Sequence, residues 1–323
     1  MIVTAELLAD RGAAAESEEF FRSRPFLDAE GVTHTLRIDA GEAELLAPLI
    51  VRKIPGGAGI DAASPYGYPG ADVAYRNIDS PMGDKKLQHA IEPQTVDFSG
   101  TGLVAAFLRH RLDESLLAGA VERNIVQIAD PELAPKSRGS DRNQINKNRR
   151  AGYAVELVAG ADTDAAQRAG FLAAYEQTMR RAGAGERYFF GAAYFDRILE
   201  SDRSWLALAH SPTGGVAAAS IVVQSDGFLH YYLSGSVDAS LRDSPMKNVV
   251  AALVEFATER GLPLNLGGGL QRGDALEEFK RGFANREQPW HTSEIVCNRE
   301  AYDKLVGGHP APGFFPAYRS PGA

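Results

Sequence analysis

The stretch 228–283 constrains this chain more than any other, because its elements come in a fixed and sharply punctuated order. Residues 228–234, FLHYYLS, read as a strand rich in aromatic side chains. A polar loop follows and leads into a helix with Pro245 in its first turn, where a missing N–H is tolerated. Gly261 ends that helix, as glycine does where the chain must turn left-handed. A second strand at 263–266 runs into Gly267, Gly268 and Gly269, and a second helix then carries Phe279, Lys280 and Phe283.

The bulk properties narrow the class. At 323 residues the chain is long for one core and comfortable for two domains. Hydrophobic content of 44% and charged content of 24% are ordinary for a globular protein. A net charge of -8 and a pI near 5.5 argue against a protein that coats nucleic acid non-specifically, though not against a local basic site. Cys297 is the single cysteine, which excludes an intrachain disulfide and a thiolate zinc cluster and makes the cytoplasm the expected compartment. The first residues lack the basic n-region and apolar core of a secretory signal. No apolar run approaches the ~18 residues of a membrane span. The histidines show no HExxH spacing, and neither a G-x-S-x-G elbow nor a Walker A sequence is present.

Along the chain, strands and helices alternate. The first half predicts a helix at 17–27, strands at 33–39 and 45–53 joined at Gly41, a Gly- and Pro-dense loop at 55–70, a helix at 103–113 from the spacing of Leu103, Phe107, Leu108 and Leu112, and a strand at 124–128. The second half opens with a polar helix ending at Gly152. A strand at 153–158 follows, then a helix capped by Thr163 with Phe171, Leu172, Tyr175 and Met179 on one face. Next come a helix at 194–199 and strands at 205–209, 216–224 and 228–234, and after the elements already named a last strand at 293–297. The Pro- and Gly-rich end, 307–323, reads as a surface tail.

Four segments could carry chemistry. The loop Ser64-Pro65-Tyr66-Gly67-Tyr68-Pro69-Gly70 offers two phenols on a backbone stiffened by Gly and Pro. It could line a cleft or pack as a plain turn. Lys136, Arg138, Arg142, Lys147, Arg149 and Arg150 face only Asp141, a local charge of +5 that could hold phosphates or simply be solvated. The loop before Pro245 has no glycine after Gly235, so it makes a poor backbone cradle for a pyrophosphate, although Arg242 and Lys247 could meet phosphate by charge. The glycine run at 267–269 lets a ligand approach the backbone or serves as a loose connection. The aromatic group Tyr188, Phe189, Phe190, Tyr194 and Phe195 reads most simply as core, and His230 and Cys297 as buried residues without a chemical role.

The order of elements resembles a GNAT acyltransferase fold, and several spellings resemble the Fem family of aminoacyltransferases: SPYGY at 64–68, RNQINKNRRAGY at 142–153, the SP of Pro245 and FK-x-x-F at 279–283. This resemblance implies mixed α/β sheets in two GNAT-like domains in tandem, divided as 1–145, 146–306 and a tail at 307–323. The connection between the helices of 163–200 is short, which resembles the arm-less type. It implies an acyltransferase that forms an amide bond, with aminoacyl-tRNA as co-substrate and no tightly bound cofactor. The acceptor is an amine on a small molecule, a peptide or a peptidoglycan precursor. An acyl-CoA-dependent N-acyltransferase and a catalytically silent binding module stay open as alternatives. Lys280 matches the family's lysine at the acyl-transfer centre, where it stabilises negative charge. Substrate contacts are expected from Ser64, Tyr66, Tyr68, Tyr231, Ser234 and Gly268, and contacts to phosphate or tRNA from Arg142, Lys147, Arg149, Arg150, Arg242 and Lys247. No metal site and no membrane span are expected, and the oligomeric state is open.

Overall fold

A computed structural model describes residues 2–41, 43–57, 59–75, 90–112, 116–307 and 313–320. The sequence places a division at 145/146 and a tail from 307. By contact, the chain divides at 123/124 and again at 289/290, into one unit of Met1–Arg123 with Trp290–Ala323 and another of Asn124–Pro289.

In the first unit, β1 (Val3–Leu8), α1 (Arg24–Ala29), β2 (His34–Asp39), β3 (Ala43–Lys53), β4 (Ile60–Ala63), β5 (Asp72–Tyr75), β6 (Val96–Asp97) and β7 (Leu103–Arg109) follow in chain order. Their sheet runs β6-β1-β2-β3-β4-β7 and then takes the end of the last strand, β14 (Arg286–Val296), with β5 paired to β3 as well. Leu36, Ile38, Leu45, Leu49, Leu103 and Ile295 are buried in its core. Two expectations are corrected here. The apolar spacing at 103–113 is not a helix: 103–109 forms β7, parallel to β4 and antiparallel to β14. A strand buried on both faces reads as a continuous apolar run, and such a run meets helical spacing too. The helix predicted at 17–27 shrinks to a 3-10 turn at Phe20–Arg22 and the short α1, because Pro25 admits no helix before it.

The end of the chain belongs to this unit. After α7 (Arg299–Val306), Tyr318 donates to Asp61 Oδ2 at 3.1 Å and Arg319 pairs with the same carboxylate, while Arg52 holds Oδ1 at 2.9 Å. Asp61 is fully buried, and a buried carboxylate needs such partners. The described part of the predicted tail, 313–320, is therefore tied to β4, whereas 308–312 and 321–323 lie outside the described residues.

The second unit holds β8 (Val121–Ala129), α2 (Gly139–Ala151), β9 (Ala154–Ala159), α3 (Ala165–Arg181), α4 (Ala192–Leu199), β10 (Ser204–His210), β11 (Val216–Ser225), β12 (Phe228–Ser236), α5 (Met246–Arg260), β13 (Leu264–Gly267) and α6 (Ala275–Arg281). From β9 to β14 this is the predicted order of elements. The sheet runs β8-β13-β12-β11-β10-β9, with only β12 and β13 parallel, joined through α5. The left-handed glycines end helices where expected, Gly152 after α2 and Gly261 after α5. The cap of α3 is Asp164 rather than Thr163: Asp164 accepts from Gln167 N and Gln167 reaches back, a capping box. Thr163 instead donates to the Gly160 carbonyl at 2.7 Å. Phe283 lies just beyond α6 rather than on it. Of the aromatic group expected in the core, Phe195 is buried, Tyr188, Phe190 and Tyr194 are half-buried and Phe189 is exposed.

Helix α3 lies on β11 and β12 at a distance set by small residues. A Cβ at Gly235 would sit 2.3 Å from the Ala174 carbonyl oxygen, and one at Gly170 would meet Val216 at 2.5 Å. Overfilling such a contact costs about 1–3 kcal/mol. Gly235→Ala is therefore expected to lower the urea midpoint by that equivalent, whereas Gly185→Ala, with nothing within 4 Å of its Cβ, is expected to leave it unchanged or slightly raised. Equal midpoints for the two variants would contradict this packing.

Candidate functional site

Strands β12 and β13 pair only at Leu229↔Leu264 and His230↔Asn265. Beyond that point β12 runs on to Ser236, and a bulge at Tyr232 breaks its register with β11, since Tyr231 faces Val222 while Leu233 faces Ile221. A bulge bends and twists its strand. Two parallel neighbours thus part at their carboxyl ends, the place where open α/β sheets take their ligands. Tyr231 and Ser234 lie on the parting segment of β12, and Gly268 lies just past the end of β13.

The segment after β13 is pinned residue by residue. Asn265 Oδ1 accepts from Gly267 N at 2.8 Å, and Asn265 Nδ2 meets His230 Nδ1 at 3.1 Å. Burial pushes the His230 imidazole down to about 4, so it is neutral, with Nε2 donating to the Ser225 carbonyl at 3.2 Å. Asn124 Nδ2 donates to the Gly269 carbonyl at 2.9 Å. Asp274, the cap of α6, accepts from Leu270 N at 2.7 Å, Gln271 N at 3.0 Å and Glu277 N at 2.8 Å. These backbone donors hold its carboxyl below the usual carboxylate range. The D-x-x-E spacing of Asp274 and Glu277 is a legible cap signal; the part played by Asn124, 145 residues from its acceptor, is not.

Lys280 projects from α6 into this segment. Its ammonium donates to the Gly268 carbonyl at 2.6 Å and is only 8% exposed. No carboxylate pairs with it among the described residues. Burial pushes the amine down to about 8, and the charge of Asp274 partly offsets this. A buried amine with a displaced pKa and no ion-pair partner is a candidate functional position.

The expected phosphate contacts fall into two groups. Arg142, Lys147, Arg150 and Arg242 are exposed and make no ion pair among the described residues. Lys247 is committed to Asp141 at 2.8 Å, and Arg149 meets Glu255 at 3.3 Å on the surface. Asp141 is itself buried, as are Ile145 and Asn148, so this face anchors α2 while its cations point outward. The anchor is polar: Asn148 Nδ2 donates to the Asp243 carbonyl and to Asn248 Oδ1, both at 2.7 Å, and the Tyr153 hydroxyl donates to Asp243 Oδ2 at 2.8 Å. The start of α5 is already occupied. Lys247 N donates to the Ser244 carbonyl at 3.0 Å, Asn248 N and Val249 N bond the Pro245 carbonyl, and Pro245 has no N–H. As the sequence suggests, little is left there to cradle a pyrophosphate.

In the first unit, the loop after β4 is tied down by hydrogen bonds and ring contacts. Ser64 is buried; its hydroxyl accepts from Arg109 N at 3.1 Å and its carbonyl from Arg109 Nη1 at 2.8 Å. Tyr66 N donates to Glu30 Oε2 at 2.8 Å. Tyr68 packs edge-on against Phe21 and Trp290 with ring centroids 5.7 and 5.4 Å apart. Both tyrosines keep part of their surface in solvent.

Residues 135–281 match the acetyltransferase (GNAT) domain family. Among solved structures, FemX is similar over 87% of this chain and 93% of its own, with 11% identity and a TM-score of 0.58. L-PGS from Bacillus licheniformis is similar over 84% of this chain and 86% of its own, with 15% identity and a TM-score of 0.55. The C-terminal domain of a putative lysylphosphatidylglycerol synthetase from Agrobacterium fabrum is similar over 92% and 94%, with 16% identity and a TM-score of 0.56. No curated protein matches the chain. At these identities the likeness is one of fold. The chain shares the mixed α/β fold of these proteins, and its residues 135–281 match a GNAT domain. Among the described residues no helix is long and apolar enough to cross a membrane.

The buried amine of Lys280 has a consequence for stability. With its pKa at about 8 when folded against 10.5 when free, the unfolded chain binds more protons between those values, so stability rises with pH across that window. Below pH 8 the full penalty applies, about 3 kcal/mol by linkage. Lys280→Met is therefore expected to unfold at higher urea than the parent at pH 7, with the gap narrowing between pH 8 and 10.5. A less stable variant at pH 7 would show that the ammonium stabilises the fold.

Proposed function

We propose that this protein forms an amide bond by moving an aminoacyl group from aminoacyl-tRNA to an amine of a small-molecule, peptide or peptidoglycan-precursor acceptor. The observation that carries this reading is Lys280: a buried ammonium with no ion-pair partner among the described residues that donates to the Gly268 carbonyl just past the end of β13 and could stabilise developing negative charge. The occupied start of α5 and the exposed cations of α2 favour a donor held by charge along a backbone over one cradled by a pyrophosphate loop. The likeness to a protein named as a lysylphosphatidylglycerol synthetase is consistent with an aminoacyl cargo.

In this reading the acceptor amine attacks the aminoacyl ester carbonyl and a C–N bond forms. Lys280 stabilises the resulting oxyanion, the ester C–O bond breaks, and the amine proton passes to the departing tRNA hydroxyl. His230 is neutral and fully engaged, so proton transfer is substrate-assisted. Tyr231, Ser234 and Gly268 contact the aminoacyl group, and Ser64 shapes the loop on which Tyr66 and Tyr68 meet the acceptor. Arg142, Lys147, Arg150 and Arg242 meet phosphates. Lys247 and Arg149 belong to that surface as members of ion pairs, the latter weak enough to exchange for phosphate.

The match to an acetyltransferase domain favours a second reading, an acyl-CoA-dependent N-acyltransferase using the same lysine. Parallel binding of charged tRNA and acetyl-CoA at low and moderate salt separates the two. Salt-sensitive tRNA binding without an acetyl-CoA signal is the expected result, and acetyl-CoA binding alone would overturn the tRNA reading. Arg142→Ala combined with Arg150→Ala is expected to weaken tRNA binding and to reduce the slope of log affinity against log salt by about one to one and a half. Lys280→Met is expected to lower kcat/KM about 10²-fold or more in a single-turnover transfer assay. Retained turnover would remove Lys280 from the reaction, and no transfer by the parent from either donor would leave a silent binding module as the better description.

A further inference from the structure

The peptide between Gly268 and Gly269 is held at one edge only, in a segment whose neighbouring backbone groups are largely bonded. On one side, Gly267 N is bonded to Asn265. On the other, the peptide after Gly269 is held at both edges, its carbonyl by Asn124 and its N–H by Asp274. The Gly268 carbonyl itself accepts from the Lys280 ammonium. The N–H of Gly269, like that of Gly268, has no partner among the described residues, and Gly269 is half-buried. Neither position tolerates a side chain: a Cβ at Gly268 would sit 2.5 Å from the Asn124 amide, and one at Gly269 would sit 2.3 Å from Asp274 Oδ1.

The geometry of a peptide turns this into a mechanism. The bond is trans, so its C=O and N–H leave on opposite edges of one plane. A cation on the oxygen draws electron density from the nitrogen and makes the N–H a stronger donor, as in any polarised hydrogen-bond chain. We propose that the Gly269 N–H is the hydrogen-bond donor to the developing oxyanion, that Lys280 acts on the reaction through this peptide, and that Asn124 is a positioning residue that fixes the plane. This rests on the acyl-transfer reading, and it replaces direct contact between Lys280 and the oxyanion by a relay through the backbone. The same donor would serve an aminoacyl ester or a thioester, because both pass through a tetrahedral oxyanion.

Asn124→Asp is the informative variant, since it keeps shape but cannot donate to the Gly269 carbonyl. Transfer is measured with whichever donor the parent turns over, so failure of the tRNA reading does not hide the result. Asn124→Asp and Asn124→Ala are both expected to lose about 10–10²-fold in kcat, with donor Kd within about twofold, by analogy with removal of one oxyanion donor. Combined with Lys280→Met they are expected to lose little beyond that single variant, because both act on one peptide. Full activity of Asn124→Asp, or losses that multiply with Lys280→Met, would overturn the proposal. A readout without turnover is the Gly269 amide resonance, in protein labelled so that only glycine amides following a glycine appear. Lys280→Met is expected to shift it, and an unmoved resonance would also overturn the relay.

Discussion

Everything in the second unit is arranged around the parting of β12 and β13. Two residue pairs hold them together, and then a bulge at Tyr232 bends one strand away. The opened ladder leaves backbone groups that must find other partners, since unpaired buried peptide groups are costly. Asn265, Asn124 and Asp274 supply those partners, each with a short amide or carboxylate side chain close enough to bond the backbone. The segment after β13 is therefore fixed by polar contacts, and Lys280 is held in this frame by the Gly268 carbonyl, without an ion pair.

A second polar device fixes the basic helix. Helix α2 buries little apolar surface, with Ile145 as its one buried hydrophobic residue, so its position depends on Asn148, Asn248 and the Asp243 carbonyl together with the Asp141–Lys247 pair. Buried networks of this kind specify geometry strongly when every member is satisfied. Gly282, just after α6, lies against Asp141, where a Cβ would come within 2.7 Å of Oδ2. The helix that presents the cations and the turn that follows Lys280 thus share one anchor. In the first unit Asp61 has the same place in the logic: a buried carboxylate on β4, three residues before Ser64, held by Arg52, Tyr318 and Arg319.

Much of this was legible in the sequence, and the failures have a common form. The order from β9 to β14, the glycine stops at Gly152 and Gly261 and the poor cradle before Pro245 all depend on local pattern, whereas Lys280 stands out only through the family resemblance. Strand β7 reads as a helix in the sequence because burial on both faces removes the alternation that identifies a strand. Thr163 reads as a cap because Thr and Asp compete for that place on nearly equal terms, and only the next turn of α3 decides between them. Lys247 and Arg149 belonged to a charge run whose members look alike in one dimension; their ion pairs come from Asp141 and Glu255.

By itself the sequence determined the class of fold, the elements of the second unit and the residues able to carry charge, because helix stops, caps and hydrophobic periods act over a few residues. Tertiary structure alone decided which of those residues are free and where Lys280 donates. Those outcomes depend on contacts between residues far apart in the chain, such as Asn124 with Gly269 and Asp61 with Arg319. A hydrogen bond is set by ångström distances in space, and separation along the chain carries no information about them.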